Sequence, residues 1–80
     1  MNKKRRERLQ DAIAHLGQAV HIVESVRDEE SESMENTPEG LQGTERYEAM
    51  ENAVDALDDA ITSINDANES IEQEIGRAHV

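Results

Sequence analysis

The side chains of this chain that could take part in chemistry are chiefly 19 acidic residues and three histidines. Metal sites in helical bundles combine acids with histidine at Glu-x-x-His spacing, and neither that spacing nor Asp-x-x-His occurs here. A Gly-rich phosphate loop, a nucleophile elbow and a Cys/His pair are also missing. We therefore expect no enzyme, no cofactor and no metal site. The acids are expected to form a solvated face, among them Glu51, Asp55, Asp58, Asp59 and Asp66.

Two groups of residues could instead bind a ligand. Arg46 and Tyr47 are a cation and the one aromatic residue, side by side. A nucleotide base could stack on Tyr47 with Arg46 at a phosphate, although the favoured interpretation of Tyr47 is a cap on the core. The second group, Lys4, Arg5 and Arg8, belongs to a basic start that could hold an anion or could be a solvated helix end.

The elements that would position these residues follow from apolar spacing. Steps of three and four occur at Leu9, Ile13, Leu16, Val20 and Val23, and again at Tyr47, Met50, Val54, Leu57, Ile61, Ile64, Asn68 and Ile71. This period predicts amphipathic helices over about 4–33 and 44–74. Between them, Pro38, Gly40 and Gly43 predict a turn over 34–43 in which the glycines could take left-handed backbone. Thr37 could cap a single turn, Leu41 could tuck onto the helix ends, and Thr44 suits the N-cap of the second helix.

The predicted fold is all-α, an antiparallel two-helix hairpin. Both apolar stripes are widened on one side, by Ala12, Ala19 and Val26 and by Ala53, Ala60 and Ala67. One partner helix cannot cover such a stripe, so a homodimeric four-helix bundle is the simplest closed assembly. The interface of that oligomer is predicted at Leu16, Val20, Val23, Leu57, Ile61, Ile64 and Asn68. Asn68 would fix the register, and Arg27 would reach Glu30, Glu51 or Asp55.

The formal charge of −11 is unevenly distributed. Residues 1–8 carry five basic side chains and one acid, so the remainder is strongly acidic. Such a surface repels nucleic acid, but it could imitate a phosphate backbone and occupy a host protein, or it could only keep a small bundle soluble. Since the apolar runs are short, we expect no membrane contact and a cytoplasmic location.

The last six residues, Ile75-Gly76-Arg77-Ala78-His79-Val80, match the translation of a common sequencing adapter in order. The adapter bases before them also fit the codon of Glu74. We therefore expect residues 75–80 to be a foreign tail on a metagenomic reading frame, and a single hairpin domain over 1–74.

The turn and the start of the chain resemble a group of known proteins. The segment Glu35–Glu51, with its Asn-x-Pro-Glu-x-Leu-Gln motif from Asn36 to Gln42, and the start Met1–Arg6 resemble short acidic proteins of phages and mobile elements of Gram-positive gut bacteria. The resemblance spans most of residues 1–74 and implies a viral setting. A fainter similarity is to small helical phage proteins that sequester cyclic nucleotides of host immunity. The expected function is a non-enzymatic anti-defence inhibitor, with a nucleotide sponge and a structural phage accessory protein as alternatives.

Overall fold

Two long helices form the protein. The computed structural model describes residues 1–78, in which α1 spans Lys3–Glu35 and α2 spans Glu45–Ala78. A short 3₁₀ turn, Glu39–Leu41, lies between them. The helices contact each other along a body of 59 × 15 × 14 Å, close to the roughly 50 Å length of a single 33-residue helix. The predicted all-α hairpin is confirmed, and the described residues contain no strand.

Each helix begins at a side chain that accepts a backbone hydrogen bond. Oδ1 of Asn2 accepts from the backbone N–H of Arg5 at 2.9 Å. Oγ1 of Thr44 accepts from the backbone N–H of Tyr47 at 3.3 Å, as expected of the predicted N-cap. These bonds satisfy donors that have no partner inside the helix, so the short polar residues at 2 and 44 set where α1 and α2 start.

The turn differs from its prediction in three respects. Oγ1 of Thr37 donates to the backbone carbonyl of Ser33 at 2.9 Å, so Thr37 closes the end of α1 and does not cap the following single turn. Gly40 and Gly43 have no positive φ, and Gly40 lies within the 3₁₀ turn, which uses ordinary right-handed backbone. Leu41 is 52% exposed, so it is not tucked onto the helix ends as predicted.

The second helix runs past the predicted end at residue 74 and into the predicted foreign tail. Ile75 follows Ile71 by one helical turn and is half-buried. Nη1 of Arg77 lies 3.4 Å from a carboxylate oxygen of Glu74, a contact that α-helical backbone brings together. Gly76 lowers helix propensity without breaking the helix. His79 and Val80, also part of that prediction, lie outside the described residues.

The core of this hairpin is very small. Val20, 8% exposed, is the one side chain in the described residues that counts as buried. The other apolar residues between the helices are only half-buried, because two helices touch along a line and leave the outer part of each side chain in water. Ile22 and Val26 stay 66% and 46% exposed. The total accessible surface is 6010 Å².

Candidate functional site

Arg46 and Tyr47 lie together at a groove of about 470 Å³ beside the turn. Its other lining residues come from the end of α1, the turn and the first turns of α2, and are Ser33, Asn36, Thr37, Pro38, Leu41, Thr44 and Met50. Tyr47 is half-buried, and Arg46 is exposed and makes no ion pair within residues 1–78. Because the N-cap at Thr44 fixes the first turn of α2, the backbone of both residues is held at the mouth of this loop-end groove.

The basic residues lie at the other end of the hairpin. Arg5 and Arg8 line a second, shallower groove of about 450 Å³ with Met1, Leu9 and Ala12. Lys4 is exposed and lies outside that lining. The hairpin is 59 Å long, so the five predicted ligand residues form two groups at opposite ends and not one site within a chain.

The predicted interface residues are already partly covered within one chain. Val20 is buried, and the other six, Leu16, Val23, Leu57, Ile61, Ile64 and Asn68, are half-buried. Oδ1 of Asn68 is buried and has no hydrogen-bond partner in the described part of the chain. We call the residues spaced three and four apart, along which the two helices pack, the seam. A buried acceptor without a partner costs stability, so Asn68 destabilises the seam of the isolated hairpin.

A second apolar surface lies beside this seam, and we call it the open face. Its members occur one residue before seam positions, and they are Ala12, Ala19, Val26, Ala53, Ala60 and Ala67. In an antiparallel pair, the position one residue before a seam residue lies on the same side of the pair on both helices. These six positions therefore share one side of the hairpin. Val26 and Ala67 are exposed and the other four are half-buried, so the chain itself leaves this face uncovered.

Arg27 makes a side-chain hydrogen bond that joins the two helices. Nη1 of Arg27 donates to Oδ1 of Asp58 at 2.9 Å, and Nε and Nη2 donate to Oδ1 of Asp28 at 3.1 and 3.0 Å. The bonds to Asp58 and then to Asp28 raise the pKa of the guanidinium above its ordinary value, so Arg27 stays charged. The predicted partners Glu30, Glu51 and Asp55 were wrong.

Asp58 comes directly after the seam residue Leu57. This position next to the seam is the one feature of the sequence that could have indicated its contact with Arg27. Arg46 and Tyr47 were predicted as a ligand pair, but the groove that they line was not predicted, because Thr37 and Pro38 of the turn form part of its lining. A groove formed by a turn leaves no periodic signal in the sequence.

The other acidic side chains of the described residues do not cluster at a metal site. Within residues 1–78, no group of three His, Asp or Glu side chains is placed to hold a metal ion. No described helix combines the length and the apolar character needed to span a bilayer. Comparisons of the chain with family models, with characterised proteins and with solved structures found no match.

Proposed function

We propose that this protein is a non-catalytic binding protein that works as a homodimeric four-helix bundle and contacts a host protein through its acidic surface. The observation that carries the proposal is the pairing of a minimal core, with one buried side chain among the described residues, and a charge of −11. The phage or mobile-element setting, and with it an anti-defence role in the host cytoplasm, rests on the sequence resemblance of the turn.

The accessible surface supports self-association. A compact monomer of 9.0 kDa would expose about 4,900 Å², whereas this chain exposes 6010 Å². The excess of roughly 1,100 Å² exceeds the approximately 800 Å² that each partner buries in a standard interface. A second hairpin on the open face would cover apolar surface that a monomer leaves in water.

The acidic surface supports a basic partner. Exposed carboxylates spaced along a rod present repeated negative charge to solvent, as a nucleic-acid backbone does. A protein that binds DNA through a basic groove could accept such a rod in place of DNA. We propose this mimicry as the specific form of the binding function.

The test uses immobilised protein and nuclease-treated lysate of a Gram-positive host, with mass spectrometry of the bound proteins. Mimicry predicts that DNA-binding proteins are retained, released by salt, and displaced by added duplex DNA but not by a neutral polymer. A triple variant Glu29→Gln, Glu30→Gln and Glu32→Gln should retain less of the same proteins. Retention that duplex DNA does not affect would contradict mimicry.

A second candidate function is supported by the loop-end groove, where Arg46 and Tyr47 stand together. An anionic nucleotide could stack on the ring and place a phosphate at the guanidinium, which would make the protein a sponge for a cyclic nucleotide signal. The surrounding acids, including Glu45 and Glu48 in the first turn of α2, oppose an anion, so we place this function second.

This alternative can be tested by proton NMR, because Tyr47 is the one aromatic residue besides the histidines and its ring signals are unobstructed. Cyclic dinucleotides should shift the Tyr47 ring signals in a saturable manner, and Arg46→Ala should abolish saturation. Unchanged signals at millimolar nucleotide would exclude the sponge. They would leave a structural accessory role as the alternative to mimicry.

A further inference from the structure

The net negative charge of this protein is confined to one half of the hairpin. Residues 21–59, the half that contains the turn, carry 13 acidic side chains and two arginines, a net −11. The other half, residues 1–20 and 60–80, carries six acidic and six basic side chains and is neutral. Two copies aligned side by side in the same direction would place two strongly acidic halves against each other. Head-to-tail alignment places each acidic half beside a neutral one, which lowers the Coulomb repulsion.

The open face carries its own charge pattern. On α2 its heptad series continues by one residue at each end, and the series is Arg46, Ala53, Ala60, Ala67 and Glu74. The two ends bear opposite charges and are equally distant from Ala60. Arg46 and Glu74 are both exposed. A helix with this pattern complements a second copy of itself in the antiparallel direction and repels it in the parallel direction.

We propose that a second copy of this chain docks head to tail on the open face, about a two-fold axis that passes near Ala60. In that arrangement α2 packs on α2 through small side chains, and Arg46 of each copy pairs with Glu74 of the other. The inference rests on the self-association proposed above and adds to it the docking surface, the direction and the ion pair.

The same axis has a consequence for α1. It places α1 of one copy over α1 of the other, with the basic start Lys3–Arg8 level with the acidic end of the second copy's helix near Glu32 and Glu35. Arg5 and Arg8 make no side-chain ion pair within the described part of their own chain. The arrangement thus gives the basic end of α1 a partner that the single hairpin does not provide.

Charge reversal with rescue tests the pairing, with association measured by sedimentation equilibrium. Arg46→Glu and Glu74→Arg should each raise the dimer dissociation constant by about tenfold, because each creates two repulsive contacts per dimer. The double variant, with both reversals in one chain, should restore the original constant. Glu69→Arg, an exposed reversal on the same helix that lies outside the series and makes no ion pair in the described residues, is the matched control and should change the constant much less.

Spin labels test the direction independently, since the chain has no cysteine and single labels are unambiguous. A label at Gln42→Cys, in the turn, should give an intermolecular distance of about 50 Å in the head-to-tail dimer. A same-direction dimer would give less than about 30 Å, the width of two hairpins. Gln18→Cys, near the middle of α1, should give a short distance in either case and shows that a dimer is present.

The outcomes separate the two proposals. Rescue together with the long distance from the turn supports head-to-tail docking. A dimer with a short distance from the turn, or with no rescue, overturns this inference and leaves self-association standing. A strict monomer in every measurement overturns both.

Discussion

Arg27 on α1 and Asp58 on α2 are joined by a 2.9 Å hydrogen bond between Nη1 and Oδ1, and this is the one side-chain ion pair that crosses between the helices in the described residues. Arg27 occupies a position where the apolar register of α1 would place a core residue. Its guanidinium leaves the seam at the side, where Asp28 and Asp58 both lie. The seam therefore passes from apolar contacts to an ion pair as it approaches the turn.

Replacing Asp58→Asn should lower the melting temperature slightly, because the Arg27 side chain loses a charged acceptor while keeping an amide oxygen. The matched control is Asp59→Asn, since Asp59 is exposed and makes no ion pair in the described part of the chain. The difference between the two variants should shrink in 1 M salt, which screens exposed charges. Equal melting temperatures at low salt would show that the pair does not contribute.

The small core makes one prediction about packing. Val20→Ala removes two methyl groups from the one buried side chain and should destabilise the hairpin by about 2 kcal/mol, or roughly 8 °C or more for a domain of this size. Ile22→Ala, two residues along on the exposed side, should cost less than about 0.5 kcal/mol at concentrations where the protein is monomeric. Thermal melts by circular dichroism compare them. Equal losses would mean that α1 does not pack on α2 through the face that carries Val20.

Asn68 gives a prediction of the opposite sign. Asn68→Leu replaces an amide whose buried oxygen has no partner in the described residues, so stability should rise by about 1–3 kcal/mol. If Asn68 also fixes the register in the oligomer, the variant should form a broader set of oligomers in sedimentation velocity.

Asn65→Leu is the control for this prediction, since Asn65 is exposed on the same helix and its replacement relieves no buried group. A less stable Asn68→Leu variant that remains one oligomeric species would show that the amide makes a satisfied contact in the assembled protein. The register argument would then have to be abandoned.

The open face gives a prediction about association that does not depend on direction. Ala67→Glu puts a charge on this face at an exposed alanine and should weaken self-association by at least tenfold, since the carboxylate would be buried in the bundle. Ala14→Glu makes the same change at an exposed alanine outside the face, and its dissociation constant should stay near that of the original chain. Light scattering from about 1 to 100 μM covers the range needed. Identical behaviour of the two variants would remove the open face from the interface.

Periodicity was sufficient to predict the fold. The apolar steps of three and four predicted both helices, and the short polar residue at Thr44 predicted where α2 begins, because these signals are local. The partner of Arg27 was not predictable in the same way. Several carboxylates lie within reach of a long, flexible side chain, and the choice among them depends on the exact offset of the two helices.

The candidate site was predictable in composition but not in shape. Arg46 and Tyr47 were identifiable as neighbouring cation and aromatic residues, and they do line a groove together. The position of Lys4, Arg5 and Arg8 at the far end was already implied by the predicted hairpin, because the chain reverses once and runs straight on both sides of the turn. The interface residues remain a prediction for the assembled protein.

The position of Tyr47 has a consequence for spectroscopy. With no tryptophan or phenylalanine in the chain, near-ultraviolet circular dichroism reports chiefly on the loop end, whereas the far-ultraviolet signal reports on all of α1 and α2. Superimposable melts from the two signals would mean that a rod 59 Å long loses its turn and its helices as one cooperative unit. An earlier transition at Tyr47 would mean that the hairpin unzips from the turn while its other end is still paired.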